Sequence, residues 1–174
     1  MNVTASTLTL SLVALFSLTA SACTGADSMG GTWTDSFATT RLPAHIGGGI
    51  LNVDATLVLD ADVAPATFEL TLALETDGLA DTIIVEGTYV DNGPDLTLTA
   101  TGFVIDPASG NAANVAEDGS QCVLMQGFGG AGVCFPAPQT NDYVLVGDSL
   151  EITINQAIAG ADANETFLSL TRTY

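Results

Sequence analysis

From Gly31 onward the chain alternates apolar and polar side chains with a period of two, the spacing that turns one face of an extended strand inward and the other to water. Leu51, Val53, Ala55, Leu57 and Leu59 share one face of such a strand, with Asn52, Asp54 and Thr56 on the other. Phe68, Leu70, Leu72 and Leu74 alternate in the same way with Thr67, Glu69, Thr71, Ala73 and Glu75. Asp77-Gly78 and Asp91-Asn92-Gly93-Pro94-Asp95 are turn signals that join alternating segments into hairpins. Eight strands are predicted, near residues 31–39, 49–60, 66–76, 81–91, 95–105, 142–147, 149–156 and 165–173. No stretch sustains the 3.6-residue period of an amphipathic helix. The expected fold is all-β and antiparallel, an up-and-down barrel of about eight strands whose closure removes exposed edges, with a β-sandwich as the alternative.

Two features modify this pattern. Tyr89-Val90, Gly93, Leu96, Leu98-Thr99 is echoed 54 residues later by Tyr143-Val144, Gly147, Leu150, Ile152-Thr153, which reads as recurrent hairpin chemistry rather than a duplicated domain. Residues 106–141 form a stretch of 36 rich in Gly, Ala, Asn and Pro. That is long for a structureless connection, so one or two short strands are expected within it.

The N-terminus follows different rules. Leu8 to Leu18 is an apolar run of 11 residues, short of the ~20 that a bilayer-spanning helix needs, and it reads as the core of a secretory signal. Ala20-Ser21-Ala22-Cys23 follows. It reads either as an A-x-A site for the ordinary signal peptidase or as a lipobox, and in the second reading it resembles the bacterial lipoprotein signal. That resemblance implies removal of residues 1–22, acylation of Cys23 with chains such as palmitate, a polar tether over 23–30, and a domain over 31–174. Thr24 stands where Asp would mark inner-membrane retention, so the resemblance implies an outer-membrane anchor in a Gram-negative source.

The three cysteines, Cys23, Cys122 and Cys134, leave one unpaired in an exported chain. If Cys122 and Cys134 pair, Cys23 remains for acylation; Cys23 in a disulfide is the other possibility. A bridge from 122 to 134 would close a 13-residue loop. On a chain-entropy account it would contribute ~3 kcal/mol, and it would suit an oxidising compartment.

Charge narrows the partners. Asp and Glu number 20 against 2 Lys plus Arg, a net charge of −18, which excludes a basic nucleic-acid reader. With 47% hydrophobic and 13% charged residues, a disordered acidic tail is equally excluded. Such a charge repels itself at low salt, an expectation that points to a saline habitat.

Gly31-Thr32-Trp33 opens the first strand, and Leu170-Thr171-Arg172-Thr173 belongs to the last. This pairing of G-x-W with a final-strand Arg resembles the lipocalin-like, calycin-type barrels, and Asn141-Asp142-Tyr143 partly matches the family's T-D-Y. The resemblance implies that Trp33 packs under Arg172 to close one end of the barrel. An indole face attracts a guanidinium on physical grounds as well. It further implies a mobile loop after the first strand, where Arg41 and His45 become candidate ligand-binding residues beside Gly47, Gly48 and Gly49.

Other chemistry finds little support. Gly127-Phe128-Gly129-Gly130-Ala131-Gly132 fits G-x-G-x-x-G but lacks the strand and helix of a dinucleotide-binding unit. His45 is the single histidine, too little for a zinc site, and no G-x-S-x-G elbow is present to use it as a base. Asp60-Ala61-Asp62 is followed by Val63-Ala64-Pro65, not by a calcium-loop sequence. No catalytic residue, metal site or cofactor is predicted, and the chain is not expected to be an enzyme.

The expected function is a lipid-anchored envelope barrel that binds a small apolar ligand between inward faces that include Leu51, Val53, Leu57, Phe68, Leu70, Leu72, Val85, Leu96 and Leu98. The alternative is a structural or protein-interaction lipoprotein without a ligand cavity, meeting its partner through residues 106–141 or an acidic face. Cavity volume separates the two.

Overall fold

The computed structural model describes residues 29–39, 50–93, 95–135, 137–154 and 165–174. Eight strands close an antiparallel barrel: β1 (Gly31–Thr39), β2 (Leu51–Asp60), β3 (Thr67–Thr76), β4 (Leu79–Asp91), β5 (Asp95–Val104), β9 (Gln139–Val146), β10 (Ser149–Ile154) and β11 (Glu165–Thr173). Each pairs with the next in this order, and β11 returns to β1, so the topology is up-and-down as expected. Period-two patterning explains the placement. The β2 residues Leu51, Val53, Ala55, Leu57 and Leu59 are all buried, and the polar positions between them face outward.

The hairpin chemistry also follows the sequence. Asp77 (φ 42°) and Gly78 (φ 81°) make the two-residue turn between β3 and β4, both in the left-handed region that a tight hairpin turn demands. At Glu86/Gly87 the register with β5 shifts through a bulge. Gly87 lies directly opposite Phe68 of β3. A Cβ on Gly87 would stand 2.2 Å from the Thr99 carbonyl oxygen and 2.5 Å from the Phe68 ring, so the close approach requires glycine.

Residues 106–138 depart from expectation. In place of one or two short strands there are three, β6 (Ala112–Val115), β7 (Gln121–Met125) and β8 (Ala131–Phe135), which form a separate antiparallel sheet in the order β6-β7-β8. Cys122 and Cys134 face one another across β7 and β8 and are joined by a disulfide. Val123, Met125, Phe128, Val133 and Phe135 of this insert are buried and belong to the same core as the barrel.

The strands give the barrel two unlike ends. At the floor lie the start of β1, the turns at 61–66, 92–93 and 147–148, and Tyr174; the mouth carries the turn 77–78 and the insert. Two seams are paired only near the floor. β1 and β11 pair over Thr32–Thr34 with Thr171–Thr173, and β5 and β9 over Asp95–Leu98 with Gln139–Asp142. Above the first seam the Asp35 carboxylate accepts the Ser169 N–H at 3.0 Å, satisfying a backbone donor that the ladder no longer reaches.

Candidate functional site

The floor is built from the residues that the G-x-W pattern singled out. Trp33 is fully buried on β1, and Arg172 is its cross-strand partner on β11. The guanidinium carbon lies 4.4 Å from the indole ring centroid, within cation–π range. The Trp33 indole N–H donates to the Met29 carbonyl at 2.9 Å, and the Met29 side chain is itself buried in the core. The chain therefore enters the domain by crossing the floor and sealing it. Nothing in the periodicity flagged Met29, because it precedes the first alternating segment.

Tyrosines complete this end. Tyr143 donates its hydroxyl to Asp91 at 2.9 Å. Burial first, then the hydrogen bond and the negative charge of Asp91, raise its phenol pKa to about 12. Tyr89 is shifted upward as well, by burial and then by the carboxylates of Asp91, Asp60 and Asp62. Tyr174 donates to Asp148, and this bond chiefly raises its pKa.

Above the floor the described strands pack their inward side chains into an apolar core. Leu51, Val53, Leu57, Phe68, Leu70, Leu72, Val85 and Leu96 are buried as anticipated, and Leu98 is partly buried against them. Among the described residues, one cavity of about 30 Å³ is lined by nine apolar side chains and two amides. Ligand pockets for small molecules usually span ~300–1,000 Å³, whereas one water occupies ~30 Å³ of liquid. This cavity is thus sized for a water-like group. The two amides are Gln139 and Asn141, both buried on β9 and hydrogen-bonded to each other at 2.8 Å. Sequence reading missed them because polar side chains at alternate positions look like a solvated face. Phe135 of the insert lines the same cavity and meets Phe103 edge-on, with ring centroids 5.8 Å apart.

At the mouth the insert is latched to the barrel. Asn111 donates its side-chain amide to Asp81 at 2.9 Å and accepts the Gln126 N–H at 2.8 Å. Gly127 packs so closely on β4 that a Cβ there would lie 3.2 Å from the Ala80 carbonyl oxygen. The Gly127–Gly132 run forms a single 3-10 turn and the reversal into β8, with positive φ at Gly129 and Gly130. This is the chain reversal that joins β7 to β8. β6 lies at the edge of the insert sheet, exposed along its length.

The outer wall carries the charge. Glu69 and Glu86 are direct cross-strand partners in an open groove of about 440 Å³ that Asp60 also borders. Among the described residues no group of three or more His, Cys, Asp or Glu side chains is placed to hold a metal ion. Cys23, Arg41 and His45 lie outside the described residues. Comparison with protein-family models, curated proteins and solved structures gives no match.

Proposed function

We propose that this protein is a lipid-anchored, non-enzymatic protein of the bacterial cell envelope, held at the outer membrane through Cys23. Its barrel is a lipocalin-like scaffold that presents the insert to a protein partner. The observation that carries the scaffold reading is the packed apolar core of the described strands, where one cavity measures about 30 Å³ against the ~300–1,000 Å³ of a usual ligand pocket. The placement of the insert supports it: the insert stands at the mouth, the N-terminal chain enters at the floor, and the β6 edge faces solvent. An exposed strand edge offers backbone groups to an extended partner segment.

A photo-crosslinker at Val115 of β6, compared with one at Val144 on the barrel wall, tests this in the native envelope. A discrete adduct from position 115 alone, lost when residues 108–120 are deleted from a still-folded chain, is the expected result. Equal labelling from both positions would sink the scaffold reading.

The second reading is a binding module for a small apolar ligand, favoured by the Trp33–Arg172 closure and by the buried amides beside the cavity. Native mass spectrometry of protein purified from its own envelope separates the two. An empty, acylated protein fits the scaffold; a stoichiometric organic adduct fits the binder. An intact mass without acyl chains on Cys23 would remove the membrane anchor from both readings.

A further inference from the structure

Gln139 and Asn141 point inward at the level where the β5–β9 ladder ends, Leu98 and Gln139 being its last partners. They are 6% and 1% exposed. Their one side-chain hydrogen bond among the described residues runs from Gln139 Nε2 to Asn141 Oδ1, at 2.8 Å. A primary amide carries two donor hydrogens and an acceptor oxygen. The mutual bond leaves Gln139 Oε1 and the Asn141 Nδ2 hydrogens without a side-chain partner among the described residues, and both atoms keep some accessible surface, in a wall otherwise made of nine apolar side chains. Polar groups without partners in such surroundings are costly, and two leucines would fill the space without that cost.

We propose that this pair and the cavity beside it bind a single hydroxyl group, which accepts from Asn141 Nδ2 and donates to Gln139 Oε1. A hydroxyl supplies the donor and the acceptor that the pair lacks. An apolar group supplies neither, and an ion would lose its hydration in an apolar wall. The volume of about 30 Å³ suits a water molecule or the hydroxyl end of an alcohol. Phe135 of the insert is one of the side chains that border the cavity. The site goes beyond the scaffold reading and stands whether or not the insert meets a partner.

An atomic-resolution crystal structure of the protein isolated from its envelope tests the assignment. Electron density within hydrogen-bond distance of both amides is expected. An isolated peak identifies water; density running on along a chain identifies an alcohol. A cavity without density, or density touching only the apolar walls, overturns the proposal. In solution, the Asn141 side-chain NH₂ should give a nuclear Overhauser cross-peak to a long-lived water or to an alcohol proton. Its absence also counts against the site. This wild-type measurement does not depend on how well any variant folds. The Gln139→Leu/Asn141→Leu double variant should lose both density and cross-peak, and retention of the density at the same place would show that the amides do not bind it.

Discussion

Gly87 shows how one side chain's absence shapes the wall. The Phe68 ring and the Thr99 carbonyl occupy the space that a Cβ would need, and the backbone cannot yield as a flexible side-chain tip could. Gly87→Ala should therefore cost ~1–3 kcal/mol, the range for overpacking a filled core, measured as a drop in the denaturant midpoint. A neutral result would mean that the β4–β5 bulge relaxes freely. Tyr143 makes a different kind of prediction. Its pKa in the folded protein is raised to about 12 from an ordinary value of 10.0, so the native state holds this proton more tightly than the unfolded chain does. The stabilisation is fully present below about pH 10 and is lost as pH rises toward about 12. Tyr143→Phe should flatten that part of the stability–pH curve, and phenolate absorbance should lose its latest-titrating component in the variant. Unchanged curvature in the variant would argue against the Asp91 contact.

At the scale of elements, legibility followed alternation. Strands with an apolar inward face, such as β2 and β3, were legible almost to the residue. The alternation predicts β9 from 142, yet the strand begins at Gln139, because its first inward positions are amides and their polarity hides the strand. Asp35 likewise points toward the seam from an otherwise ordinary strand, its role visible only once β1 and β11 are seen to part. In the floor, Trp33 and Arg172 could be paired from sequence, whereas Met29 could not, since no period leads up to it. The insert was the least legible part: its strands are 4 or 5 residues long and owe their order to a disulfide and to contact with the barrel. Replacing both Cys122 and Cys134 by Ser should remove ~3 kcal/mol of constraint from the insert. Hydrogen exchange should accelerate across residues 121–135 and leave β2–β4 protected. Uniform acceleration would show that insert and barrel open as one unit.

For the whole molecule the dominant fact is charge. A net charge of −18 on 174 residues leaves the exposed carboxylates facing one another with almost no cations to offset them. Glu69 and Glu86 even stand directly opposite across two strands, an arrangement that destabilises a sheet. Screening shortens the reach of this repulsion from ~30 Å at 0.01 M salt to ~3 Å at 1 M. The melting temperature should accordingly climb with sodium chloride over that range, and a flat or falling profile would show that the acidic wall costs the fold nothing. The net charge is plain in the composition, but the alignment of Glu69 with Glu86 depends on register and is not.

The Trp33–Met29 contact also sets how the domain answers tension. A pull applied at Met29 passes into β1, with the Trp33–Met29 bond as its first hold. β1 is held to β2 by nine facing residue pairs, Gly31–Leu59 through Thr39–Leu51, and to β11 by three. Force along a strand loads such a ladder in shear, so its hydrogen bonds resist together and are not unzipped singly. Under strain from that end the β1–β2 ladder is the first to bear the load.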